Sequence, residues 1–293
     1  MQDPAYIDLH VNGHAGIDFL SAKTPDEIRE ATRSLKSFGV AGFLPSLITS
    51  GLSNLKRSAS LINEVTKSQG DDEARILGIH LEGPCLAVER RGIHSENLLR
   101  SPEPSLINEL LSIPNVKMIT LAPELPGGIE ATRTISEAGV VVSLGHTTAS
   151  RKVAEAAFHA GAKTVTHLFN GMEKDGELVE LVLERENIHF QMIIDDVHVP
   201  RELVRKTCDV ALDRLIITTD ALAAAGLGPG RYPFGDMEIE IKDGKALRLD
   251  GRLAGGIGTP ALALEILADL GYSRESTLTA ATSRPLELIN AKL

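Results

Sequence analysis

Residues 77–94 read LGIHLEGPCLAVERRGIH. The opening six residues suit a short buried strand, and Gly83-Pro84 stops it. A carboxylate, Glu82, is therefore left at the carboxyl end of a strand, beside a loop that carries Gly92 and His94. Burying a lone carboxylate is costly unless a cation or hydrogen bonds hold it. Glu82 is thus either the cap of a nearby helix or loop, or a metal ligand. The rest of the chain favours the ligand.

Working outward, strand-like runs precede this one at 6–12 and 40–49 and follow it at 116–121, 139–145, 163–168, 188–195 and 214–219. Helical patterns separate them. Thr24-Pro25-Asp26-Glu27 opens one with a capping box and a proline in the first turn, and Gly39 ends it. Others are expected near 53–67, 104–112 and 148–159. Eight largely apolar strands alternating with helices predict a parallel sheet covered on both faces, as an α/β (β/α)8 TIM barrel. No glycine-rich phosphate fingerprint follows the first strand, which disfavours a doubly wound sheet.

Residues 231–250 differ. MEIEIKDGKALRL (237–249) is an alternating pair of strands around Asp243-Gly244, a hairpin signal, and predicts a β-hairpin insertion after the eighth strand. Two helices, 258–270 and 274–290, are expected to finish a single domain spanning 1–293.

A net charge of −10 argues against nucleic-acid binding and against docking on an anionic membrane. Cys85 and Cys208 are the only cysteines and imply no disulfide framework. No run of about 18 apolar residues occurs, and strand-like sequence begins by Tyr6, which leaves no room for a signal peptide. The expectation is a cytoplasmic protein.

Functional side chains in such a barrel sit at the carboxyl ends of strands. Those positions hold His10-Val11-Asn12, Glu82, His146, His167 with Asn170, Asp195 to His198, and Asp220. Glu82, His146 and His167 would supply three ligands of a catalytic zinc, leaving a fourth position to water. Asp220 is either the base that takes a proton from that water or the cap of the following helix. His80 shares a strand face with Glu82 and is read as packing or supporting it. His159 and His189 are expected to be solvated, and Glu89-Arg90-Arg91 to form an exposed loop.

Together, YIDLHVNG (6–13), GFLPSLITS (42–50), LGIHLEGP (77–84) with GIH downstream, LAPE (121–124), SLGHTTAS (143–150), THLFNGM (166–172), DDVHV (195–199), TTDALAAAG (218–226) and LAGG (253–256) resemble the N-acetylglucosamine-6-phosphate deacetylase family of metal-dependent amidohydrolases. The motifs run in family order from Tyr6 to about Pro285. The resemblance implies Glu82, His146 and His167 as metal ligands, Asp220 as general acid/base, and sugar contacts at Ile93, His94, Asn170, Gly171, His198, Leu253, Ala254 and Gly255. It implies removal of acetate from an N-acetyl amino sugar by metal-activated water, with one divalent ion, zinc, as cofactor.

Four departures qualify the expectation. His10-Val11-Asn12 stands where the superfamily often has His-x-His, which favours a single metal. The family's small β-sandwich domain is expected to be absent, so that the surface it leaves would be either polar or covered by a second copy of the chain, as a homodimer. Residues 171–184 (GMEKDGELVELVLE) are short and hold no arginine to grip a sugar phosphate; Lys174 offers a point charge without a bidentate fork. Asp196 stands where the family usually has glycine and would repel a phosphate. The last two departures raise an unphosphorylated or other N-acyl amino substrate as the alternative. A non-catalytic barrel serving as a binding or regulatory subunit is the alternative of another class.

Overall fold

The computed structural model describes residues 5–234 and 237–293. Eight strands form the frame: β1 (Tyr6–Val11), β2 (Val40–Ile48), β3 (Ile79–Glu82), β4 (Val116–Leu121), β5 (Val141–Leu144), β6 (Thr164–Val165), β7 (His189–Met192) and β8 (Leu215–Ile217). Each pairs in parallel with the next, so their spatial order is their chain order. A parallel bridge from Val11 to Ala221 brings the first and last together. One helix follows each of the first seven strands: α1 (Pro25–Ser37), α2 (Leu52–Thr66), α3 (Pro104–Leu111), α4 (Gly128–Glu137), α5 (Arg151–His159), α6 (Glu177–Glu184) and α7 (Arg201–Ala211). The expected (β/α)8 barrel is the architecture found.

Local chemistry explains these elements. In α1, Ile28, Ala31, Thr32 and Leu35 are buried, the spacing that puts one helical stripe against a sheet. Thr24 Oγ1 accepts from the Glu27 amide at 3.3 Å. The Glu27 carboxylate accepts from the amide of Lys23 at 2.6 Å, one residue earlier than a standard capping box. Gly39 has φ +83° and ends the helical segment.

Four expectations are corrected. The strands foreseen at 139–145, 163–168, 188–195 and 214–219 are shorter, and left-handed His146 (φ +49°), His167 (+32°), Asp196 (+63°) and Asp220 (+50°) stand just beyond their carboxyl ends. Such strain in residues other than glycine gathers at functional sites. The insertion is a four-stranded antiparallel sheet rather than a hairpin, formed by β9 (Gly230–Phe234), β10 (Met237–Lys242), β11 (Lys245–Arg248) and β12 (Leu253–Gly255). The foreseen hairpin is β10–β11, turning at Asp243 and Gly244 with φ +50° and +71°. Pro233 masked β9, and proline is tolerated there because β9 is an edge strand.

The helix foreseen at 258–270 is α8 (Pro260–Asp269), but 274–290 is broken into α9 (Arg274–Leu278) and α10 (Ser283–Leu288), with Thr282 non-helical between them. Pro285 cannot donate to a carbonyl four residues back, and its ring crowds that carbonyl. Finally, His189 is half-buried, whereas His159 is exposed as expected.

Candidate functional site

Glu82 closes β3 and is buried. Gly83 turns the chain away at φ +87°, where a Cβ would lie 2.3 Å from Thr49 Oγ1. Four imidazoles face the carboxylate. His146 Nε2 and His167 Nε2 lie 3.2 and 3.1 Å from Oε1, and 3.1 Å from each other. His10 Nε2 and His94 Nε2 lie 3.4 and 3.5 Å from Oε2.

Burial opposes ionisation of Glu82, but the charge and hydrogen bond of His10 hold its carboxyl well below the usual range. Burial likewise works against protonating His10, yet Glu82 and Asp220 push its pKa up to about 9. Burial keeps His167 and His94 below the ordinary imidazole value.

The donor set fits a metal ion. The triangle of Glu82 Oε1, His146 Nε2 and His167 Nε2 has edges of 3.1, 3.1 and 3.2 Å. A tetrahedron with zinc-like bonds of about 2.0–2.1 Å has edges of about 3.3 Å. His146 Nδ1 donates to the Arg90 carbonyl at 2.7 Å, which leaves the Nε2 lone pair free for a cation. His94 differs, because its Nδ1 accepts from the Thr49 amide at 3.3 Å, so its neutral ring carries the proton on Nε2. Its geometry with Glu82 and His146 would also admit an ion, but that tautomer makes His94 a donor.

Glu124, in the LAPE motif, steadies the segment after His146 by accepting from the amide and hydroxyl of Thr148 at 2.6 and 3.0 Å. Asp220 stands across the site. Its Oδ1 accepts from Asn12 Nδ2 at 2.7 Å and lies 3.1 Å from His10 Nε2.

The residues singled out from sequence come together: Glu82, Ile93, His94, His146, His167, Asn170, Gly171, His198, Asp220, Leu253, Ala254 and Gly255 line one cavity, with Asn12 and Ile193 beside them. Sequence reasoning gave no role to His10 and Asn12 as partners of Asp220, although their spacing at a strand end was the available signal. It placed Asp195 at a strand end but gave it no role; its Oδ2 lies 2.8 Å from His198 Nδ1 and orients that ring. Burial opposes ionisation of Asp195, but the His198 hydrogen bond and charge lower its pKa.

No protein-family model matches the chain. The human N-acetylglucosamine-6-phosphate deacetylase is 36% identical over 305 residues, covering 98% of this chain and 74% of that protein. The Escherichia coli O157:H7 N-acetylgalactosamine-6-phosphate deacetylase is 30% identical over 98% of this chain and 77% of its own. A Mycobacterium smegmatis N-acetyl-D-glucosamine-6-phosphate deacetylase, an Asp-to-Ala mutant in complex with N-acetyl-D-glucosamine-6-phosphate, superposes with TM-score 0.90 at 31% identity, covering 98% and 77% of the two chains. The chain belongs to the N-acetylglucosamine-6-phosphate deacetylase family.

Within that family frame, one expected clash disappears. Asp196 does not confront the cleft as a free charge, because Arg201 Nε and Nη2 hold both its oxygens at 2.7 Å, and Arg201 Nη1 also reaches Asp269 at 3.3 Å. Lys174 is exposed, and its Nζ sits 3.5 Å from the His198 carbonyl, beside the cleft.

Proposed function

We propose that the chain hydrolyses the amide of an N-acetylated amino sugar, with N-acetylglucosamine-6-phosphate as the default substrate, releasing acetate and the free amine. The triangle of Glu82, His146 and His167 facing Asp220 across one cavity carries this reading. A divalent ion held by those three residues would polarise the amide carbonyl and lower the pKa of water. Two imidazoles and one carboxylate favour zinc, as a single ion.

Asp220 takes the proton of the attacking water and returns it to the amine nitrogen as the C–N bond breaks, since an unprotonated amine anion leaves poorly. Asn12 and His10 fix the rotation of the Asp220 carboxylate. The His94 Nε2 proton and the Asp195-oriented ring of His198 would bind the sugar, together with Ile93, Asn170, Gly171, Leu253, Ala254 and Gly255, which line the same cavity. The intact set argues against a non-catalytic barrel.

A specific observation favours a second substrate reading. Residues 171–184 contain no arginine, and Lys174 is the cation beside His198. A neutral N-acyl amino sugar is therefore the alternative substrate for the same chemistry.

We read the protein as a cytoplasmic homodimer of single-domain chains. Among the described residues no helix is long and apolar enough to cross a membrane. Leu249 is exposed apolar surface that a second copy could bury; light scattering tests the dimer.

The function is tested by acetate release from the zinc-loaded chain with N-acetylglucosamine, its 6-phosphate and N-acetylgalactosamine-6-phosphate side by side. Turnover of a phosphorylated sugar, lowered about 1000-fold in Asp220→Asn, is the expected result. Turnover of the neutral sugar alone would select the second reading, and none on any N-acyl amino sugar would overturn both.

A further inference from the structure

The seam between β1 and β8 is closed by the Val11–Ala221 bridge, the Asn12 and Gly13 amides on the Ala221 carbonyl, and the contacts of Asn12 and His10 with Asp220. The carboxylate of Asp8, which is 1% exposed, spans it as well. Its Oδ1 accepts from the His10 amide at 3.1 Å and the Thr218 hydroxyl at 2.7 Å. Its Oδ2 accepts from the Thr219 amide at 3.2 Å and the Thr219 hydroxyl at 2.6 Å. In a regular parallel ladder those two amides would bond to carbonyls of the neighbouring strand. Here both bond to one carboxylate.

The residue after Thr219 is Asp220. Its backbone is in the left-handed region at φ +50°, so neighbouring contacts must hold it. The Gly256 amide donates to the Asp220 carbonyl at 2.9 Å, and the Asn12 amide donates to the Ala221 carbonyl at 2.7 Å. A Cβ on Gly256 would lie 1.9 Å from the Thr219 carbonyl oxygen, so glycine is needed for this approach. Residues 219–221 are thus pinned by β1 on one side and the end of the insertion on the other. Asp8 pins the step just before.

We propose that Asp8 is a positioning residue for the hydrolysis: by drawing His10 of β1 and Thr218 and Thr219 of the β8 end onto one carboxylate, it sets where Asp220 stands. The proposal rests on the role given to Asp220 above. Asp8 accepts from four donors and asparagine can accept only through its oxygen, so an amide nitrogen at the Oδ2 position would confront the Thr219 N–H. The seam would shift and carry Asp220 with it. A displacement of about 1 Å at a reacting group costs about 100-fold in rate.

The test is Asp8→Asn, assayed below its melting temperature. The expected result is a kcat lowered about 100-fold, with KM changed less than about 3-fold, zinc content unchanged, and no further loss of residual turnover when combined with Asp220→Asn. A kcat within about 3-fold of wild type despite a lowered Tm would overturn the proposal. So would loss of zinc, or a multiplicative double mutant. If Asp8→Asn does not fold, Thr219→Val carries the same readouts with an expected kcat loss of about 10-fold. If the wild-type chain releases no acetate at all, the functional reading fails separately. Hydrogen exchange then decides: faster exchange in 218–222 of Asp8→Asn with 79–82 unchanged supports the proposal, and unchanged exchange in 218–222 overturns it.

Discussion

His146 and Arg90 are joined by a 2.7 Å hydrogen bond from the ring Nδ1 to the main-chain carbonyl. Because a carbonyl can only accept, this contact assigns the ring tautomer and directs the Nε2 lone pair at Glu82 and His167. The neighbouring His94, held through Nδ1 by the amide of Thr49, presents the opposite face of its chemistry, an Nε2 proton.

The two histidines should therefore separate in a metal assay. His146→Ala is expected to lower zinc affinity at least about 100-fold. His94→Gln should keep about one zinc per chain while KM rises about 10-fold, the loss of one hydrogen bond to substrate. Zinc content by elemental analysis, with KM alongside, checks both; loss of zinc from His94→Gln would refute the tautomer assignment.

At the anion end, Lys174→Gln should raise KM for a phosphorylated sugar about 10-fold and leave KM for the neutral sugar unchanged, as one charge-assisted contact is removed. Asp196→Gly should change either KM less than about 3-fold, because Arg201 already neutralises Asp196. A large gain in phosphate-sugar affinity in Asp196→Gly would restore the repulsion expected from sequence.

His14 gives a pH signature in stability. Burial lowers its pKa to about 4 from an unfolded value of 6.5. Between those values the unfolded chain binds the extra proton, so stability rises with pH and is lost as pH falls from 6.5 towards 4. Full expression of the shift is worth about 3 kcal/mol. The difference in unfolding free energy between wild type and His14→Gln should change by up to that amount over this window. A pH-independent difference would show that the buried ring is not neutral.

Arg214 is a structural cation with no partner role at the cleft. Its guanidinium donates to the carbonyls of Ile188 at 3.0 Å and Leu183 at 2.9 Å, and also reaches Val182, closing the carboxyl end of α6. Arg214→Met would leave these carbonyls unpaired and should destabilise the chain by about 3 kcal/mol, without altering KM below the melting temperature. Urea denaturation measures the loss; a change under about 0.5 kcal/mol would show that water replaces the guanidinium.

Much of this molecule was legible in its sequence. Barrel order follows from alternating apolar runs and helical stripes because burial on both sheet faces leaves a local, periodic record, as in Ile28, Ala31, Thr32 and Leu35. Glu82, His146, His167 and Asp220 were visible because each follows a strand, and parallel strands in a barrel aim their carboxyl ends at one rim. The extra insertion strands were less legible, since Pro233 and the short 253–255 run carry weak strand signals.

Only the tertiary structure decided which ring nitrogen faces the centre, because the partners of His146 and His94 lie 56 and 45 residues away and no local pattern encodes them. It alone paired Asp196 with Arg201 and Asp195 with His198, choosing between two adjacent carboxylates that are indistinguishable as letters. It also joined Asp8 to Thr218 and Thr219 across 210 and 211 residues. Sequence records what each segment buries; hydrogen-bond partners across a seam exist only once the barrel has closed.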